Sequence, residues 1–177
     1  MSQHSNLGAW IQRLRQPDPN LDLKAAVDLL DREALDNAHG FAAEHCRRYI
    51  ATDGRDDGWD GPRPILVLYT TGRRTGTTRR NPLLFFEHDD RRYLIASYGG
   101  APKHPAWFDN LRADPDIHVR VMSEVYAATA RVLPDDERAQ LWPTLVAVYP
   151  MFGEYEQNSS RQIPVVEVLR AAEEPNG

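Results

Sequence analysis

Four arginines crowd one short stretch of this chain. Arg73 and Arg74 lie inside GRRTG, and Arg79 and Arg80 come just after it. Residues 61–86 hold these four and Arg63 but no Asp or Glu, although the whole chain has a net charge of −5. A planar guanidinium donates two parallel hydrogen bonds to a phosphate or a carboxylate. A basic cluster confined to one turn of an acidic chain suggests a specific anion site rather than a polyanion surface. A solvated hairpin tip would show the same residues, and the residues alone leave both readings open.

Other groups with chemical capacity lie further along. Asn81-Pro82 comes directly after the basic turn; proline removes a ladder donor and suits a strand edge or bulge. Ser97, Tyr98, Gly99 and Gly100 form a turn whose backbone amides could face the polar edge of a planar ring, or serve only to turn the chain. Lys103, Trp107 and Asn110 lie on the loop and short helix after it. Tyr149, Phe152 and Tyr155, spaced three apart, either offer hydroxyls to a substrate or form an apolar stripe. No Ser-His-Asp order, Rossmann fingerprint or P-loop is present. His39, His45 and Cys46 match no common zinc spacing, so no metal is expected.

The elements that position these residues are read from periodicity. Strands are expected over 65–71, 78–87, 93–98, 117–122, 125–133 and 163–169. A helix is expected over 105–113, and another starts at Pro134-Asp135-Asp136-Glu137, divided in two at Pro143. Short turns link the first three strands, which favours antiparallel pairing over a parallel α/β sheet. The expected fold is predominantly β with α (α+β): a split β-barrel of about six antiparallel strands. Its domain organisation reads as a helical extension and loop over 1–62, the barrel over 63–170 and a disordered tail over 171–177. Within the extension, Leu7, Trp10, Ile11 and Leu14 share one helical face. That face suits packing on the domain, or peripheral contact with the inner membrane face through residues 6–15. Helices over 21–37 and on to Ile50 come next, then a polar loop over 52–62.

A chain of 177 residues, 41% hydrophobic and 27% charged, can bury one sizeable core. The single Cys46 and the lack of an apolar leader fit a cytoplasmic protein. The acidic balance argues against nucleic acid as a partner.

The motifs TTGRRTGTTRRNPL, SYGGAPKHPAWFDNL and WPTLVAVYP, in this order, resemble the deazaflavin-dependent nitroreductase family over about residues 63–169. The resemblance implies a flavin-reductase-like split barrel using reduced 8-hydroxy-5-deazaflavin (coenzyme F-420). Arg73, Arg74 and Arg79 would hold its anionic tail, and Asn81, Pro82, Ser97, Tyr98, Gly99, Trp107 and Asn110 would line its ring. Leu84, Trp107, Tyr149, Phe152 and Tyr155 would face the substrate, with Ser97, Tyr149 and Tyr155 completing proton transfer. The implied reaction is hydride transfer to an enone, quinone or nitroaromatic. Phe152 stands where nitroimidazole-reducing members carry Tyr, and Leu84 where some carry an aromatic residue, which implies weak nitroimidazole reduction. An FMN-dependent enzyme of the same fold, or a non-catalytic flavin- or haem-binding protein, is the alternative; the oligomeric state is left open.

Pro17 and Pro19 break any helix and separate the first segment from the rest of the chain. Deleting residues 1–19 should leave a folded protein that still binds the coenzyme. Aggregation of the truncated protein, or loss of coenzyme fluorescence quenching, would place that segment in the core or the pocket.

Overall fold

The computed structural model describes residues 23–56 and 63–171. Strand β1 (Ile65–Thr71) is buried along nearly its whole length because both of its faces are covered. Leu66 and Leu68 point into the barrel, while Ile65, Val67 and Tyr69 pack outward against Leu30, Ala34, Cys46 and Tyr49. This is why β1 reads as a continuous apolar run instead of an alternating one. The strands β2 (Thr78–His88), β3 (Arg91–Ile95), β4 (Asp116–Val121), β5 (Glu124–Val132) and β6 (Val165–Arg170) complete the sheet. They close an antiparallel barrel in the order β1-β2-β3-β6-β5-β4, with β4 returning to β1. The expected fold class and strand number are those observed among the described residues.

Two helices on the outer wall come from the N-terminal part of the chain: α1 (Leu23–Glu33) and α2 (Gly40–Ala51). The helix expected over 21–37 stops at Glu33 because the chain then joins the sheet. Leu35 N–H donates to Thr78 O (2.9 Å), and its carbonyl accepts Arg80 N–H (3.0 Å). The second helical piece, expected to run on to Ile50, is α2, and it begins at Gly40.

A polar network fixes these helices to the barrel. Arg80 donates from Nε to Asp36 Oδ1 (2.6 Å) and from Nη1 to the Asp31 carbonyl (2.8 Å). Arg120 on β4 donates to Asp31 Oδ2 (2.8 Å) and Asp53 Oδ1 (3.0 Å). The Tyr69 hydroxyl donates to the Asp31 carboxylate. Burial, with the Asp31 charge beside it, holds that phenol far above its usual range, so it stays a donor. The Cys46 thiol is pushed up to about 12 by burial, which makes it inert packing. The described residues bring together no group of three or more His, Cys, Asp or Glu suited to a metal.

Three expectations shift. Strand β3 ends at Ile95, not at residue 98. Tyr98, Gly99 and Gly100 have φ values of 49°, 62° and 80°, a left-handed turn that no strand continues through. Pro143 does not divide its helix: with α3 (Ala106–Ala113) preceding it in the chain, α4 (Asp135–Val148) runs through Pro143. The break falls at Tyr149, with φ −126° and ψ 79°, before α5 (Pro150–Gln157). Pro150 disfavours a helical conformation in the residue before it, so the break falls there. Strand β6 starts at Val165, after the donor-less Pro164. The short helix α3 plugs the barrel with Trp107, Phe108 and Leu111.

The segment 6–15, residues 57–62 of the polar loop and residues 172–177 of the tail lie outside the described residues. Among the described residues no helix is long and apolar enough to cross a membrane.

Asp31 holds Tyr69 and Arg120 together, and Arg120 is only 5% exposed. Removing one partner of a buried ion pair costs about 3–5 kcal/mol, so Asp31→Ala should lower the unfolding free energy by about that much. Urea unfolding followed by far-UV circular dichroism measures it; a loss below about 1 kcal/mol would show that the network contributes little.

Candidate functional site

Strand β2 has different partners along its two halves. It pairs with β1 from Thr78 through Leu84, but with β3 only from Phe85 through His88. Continued in register, Leu83 would oppose Ala96 and Asn81 would oppose Tyr98; the chain instead turns away after Ile95. A cleft of about 780 Å³ opens in this split. Phe85 N–H bonds to the Pro64 carbonyl on the β1 side, and Arg80 N–H bonds away from it to Leu35. By strand alternation Pro82 faces the split, and it brings no N–H to the diverging edge.

One wall is the basic turn. Gly72 N–H donates to Thr77 O (2.8 Å), and Gly76 N–H to Gly72 O (2.7 Å). Gly76 takes φ 66°, a conformation glycine adopts without strain. Asn110, buried on α3, pins this turn to the barrel. Its Oδ1 accepts Arg73 N–H (3.1 Å), and its Nδ2 donates to Thr70 Oγ1 (3.2 Å). Both ends of that amide are therefore occupied by the fold. The Arg73 guanidinium reaches Asp109 (3.4 Å). Arg74 and Arg79 have no carboxylate partner among the described residues. Arg80, their neighbour in sequence, is already neutralised by Asp36.

The opposite wall is Leu83, Ile95, Ser97, Tyr98, Pro105, Ala106 and Trp107. Ser97 and Trp107 are buried, while Tyr98 is exposed. Trp107 belongs to the core and to the cleft at once, stacking edge-on to Phe108. Gly99 is not a lining residue. Gly100 runs so close to α5 that a Cβ would meet the Tyr155 carbonyl at 2.8 Å.

A third wall carries no sequence motif: Asp36, Asn37, Ala38, His39 and Ala42, from the α1–α2 connection and the start of α2. Asn37 Nδ2 donates to Asn81 Oδ1 (2.7 Å), so Asn81 is held from the extension. Nothing in this polar linker marks it as part of a pocket; the strand-like bridge at Leu35 brings it there.

Nine of the ten residues expected to hold the coenzyme line the cleft: Arg73, Arg74, Arg79, Asn81, Pro82, Ser97, Tyr98, Trp107 and Asn110. Leu84, Tyr149, Phe152 and Tyr155, expected at the substrate, do not line it. They belong to a cluster on the outer face of the barrel with Phe86, Tyr93 and Leu145. Phe86, Tyr149, Phe152 and Tyr155 form a chain of edge-on contacts with centroids 6.0–6.3 Å apart. The Tyr149 hydroxyl donates to Phe85 O (3.4 Å), and burial raises its phenol. The triplet therefore backs the Ser97 turn, through the contact of Gly100 with α5.

A second groove of about 490 Å³ lies over β3, β5 and β6, with Arg91, Arg92, Arg131 and Arg170 along it. Each of these meets a carboxylate, from Glu167, Glu87, Glu137 or Glu124. It offers an anion much less than the split does.

The family described as F420H(2)-dependent quinone reductase matches residues 42–170. The chain is 35% identical over 130 residues to the F420H(2)-dependent quinone reductase Rv1261c of Mycobacterium tuberculosis, covering 71% of this chain and 87% of that protein. A solved structure described as an F420-H2 dependent reductase (FDR-A) superposes with a TM-score of 0.54 at 38% identity, covering 63% of this chain and 99% of that one. Another, described as a domain-swapped dimer, superposes with a TM-score of 0.56 at 36% identity, covering 71% and 94%.

Asn110 holds the basic turn by two hydrogen bonds at once. Asn110→Ala should speed amide exchange at Arg73 and weaken coenzyme binding by about 1–2 kcal/mol, with the barrel intact. Native-like exchange at Arg73 in the variant would show that the turn holds without Asn110.

Proposed function

The chain belongs to the F420H(2)-dependent quinone reductase family, and from that premise we propose how labour is divided in the cleft. The reaction is hydride transfer from reduced coenzyme F-420 to a quinone-type acceptor, a small molecule. When bound, the coenzyme supplies a hydride, and the quinone takes that hydride and one proton to become a hydroquinone.

The observation that carries the assignment is that Arg74 and Arg79 have no carboxylate partner among the described residues and stand beside a split lined by Leu83, Ile95 and Trp107. Free cations at one side suit a phosphate and carboxylate tail; an apolar slot at the other suits a planar ring. A cleft of about 780 Å³ falls within the usual range for a cofactor site. Arg74 and Arg79 bind the tail, and Arg73 joins them by exchanging Asp109 for the ligand. Pro82, Ser97 and Trp107 confine the ring and exclude water, which strengthens every electrostatic contact inside. The Ser97 hydroxyl, buried at the cleft wall, orients the acceptor oxygen and passes it a proton drawn from solvent. Tyr149 and Tyr155 act one layer back, by supporting the Ser97 turn. Positioning supplies most of the catalysis.

Titration with oxidised and reduced coenzyme F-420, and with FMN, followed by absorbance and fluorescence, tests the reading. Arg74→Ala and Arg79→Ala should each weaken F-420 binding by about 1.5–3 kcal/mol. Their binding should also depend less on salt. Tighter binding of FMN than of F-420 would overturn the cofactor assignment, and unchanged F-420 affinity in both variants would move the tail site elsewhere.

A further inference from the structure

Arg161 lies in the connection between α5 and β6 and is bonded unlike the other partly buried arginines. Its Nε donates to Ala101 O (3.0 Å), and its Nη2 donates to Ala96 O (3.0 Å) and Ser97 O (2.8 Å). Its Nη1 reaches Gln162 O at 3.5 Å. All of these acceptors are backbone carbonyls. Arg80, Arg120 and Arg138, which are more deeply buried, each meet a carboxylate; Arg161 meets none among the described residues. Burial lowers its guanidinium below the usual arginine range, as expected for a charge that no carboxylate offsets.

The three main carbonyls bracket one turn, residues 96–101. Within it, Gly100 N–H returns to Ser97 O (3.0 Å) and Ala101 N–H to Tyr98 O (3.1 Å). Tyr98 is held at φ 49°, a conformation that costs a non-glycine residue energy unless its surroundings impose it. Ala96 N–H bonds to Pro164 O (3.0 Å), so the same connection grips the turn at its start. Beyond that bond the turn has left its strand, and Ser97 and Tyr98 wall the cleft. A rigid planar fork can span carbonyls in several directions; an ammonium cannot do so with the same geometry.

We propose that Arg161 is a positioning residue for the ring half of the site: it fixes the 96–101 turn so that Ser97 and Tyr98 form a preorganised wall. This rests on the assignment of the cleft to the coenzyme. It adds that ring affinity is set from behind the wall, by a side chain that does not line the cleft. The tail half, at Arg74 and Arg79, is independent of it.

The test separates the two halves. Native protein, Arg161→Met, Arg161→Lys and Arg79→Ala are titrated with whole coenzyme F-420 and with its ring fragment 8-hydroxy-5-deazariboflavin, which lacks the tail. Arg161→Met should weaken binding of both ligands by about tenfold, and amide exchange at Gly100 and Ala101 should quicken. Arg161→Lys keeps the charge and should recover little of the loss. Arg79→Ala should weaken binding of the whole coenzyme only. Ring-fragment affinity within about twofold of native in Arg161→Met, or full recovery by lysine, would overturn the proposal. If Arg161→Met does not fold, Arg161→Lys decides: native affinity for the ring fragment overturns the proposal, and a loss of several fold supports it. Loss of whole-coenzyme binding in Arg161→Met with the Arg79 variant unaffected would leave Arg161 standing and remove the tail assignment.

Discussion

A β-strand inside a protein must satisfy the backbone groups on both its edges. In this barrel β2 keeps β1 along one edge and loses β3 halfway along the other. Three local solutions deal with the freed edge. Leu35 bonds to the positions around Arg79, Pro82 brings no donor, and the departing chain after Ile95 turns back on itself under Arg161. The cleft is the space those solutions leave. Basic turn, α1–α2 connection and Ser97 turn meet there because each answers a part of the same missing pairing.

Arginine does two kinds of work around this split, and burial separates them. Arg80 and Arg120 sit in the barrel wall, where an unpaired charge would be costly, and both are matched to aspartates from the N-terminal part of the chain. They hold α1 and α2 against β1, so the third wall of the cleft stays in place. Arg74 and Arg79 lie closer to solvent, where an unmatched cation is tolerable and available to a ligand. Arg161 stands between these cases: it is partly buried and charged, and its side-chain partners among the described residues are all backbone carbonyls.

The same economy explains the aromatic residues. Trp107 belongs to the core and walls the cleft, so its position is fixed by packing before any ligand arrives. The Tyr149–Phe152–Tyr155 ladder packs on the barrel's outer face, in one cluster with Ile95, and meets the Ser97 turn where α5 approaches Gly100. Its spacing of three places the rings on one helical face, and that face points at β2 and β3.

Much of the barrel was legible in the sequence, because a period of two and short turns leave few alternatives to antiparallel pairing. Boundaries of β1 and β2, the basic turn and the Trp107 helix come from local chemistry. Arg79 and Arg80 show where legibility ends. They are neighbours with the same side chain, yet adjacent strand residues face opposite sides, and only the placement of α1 and α2 decided which one meets an aspartate. The third wall at residues 36–39, the backing position of Tyr149 and the grip of Arg161 on residues 96–101 arise between segments far apart in the chain. No periodicity or motif encodes such contacts singly. They exist because closing the barrel brings residue 35 to residue 79, and residue 161 to residue 97, and that closure is a property of the whole chain.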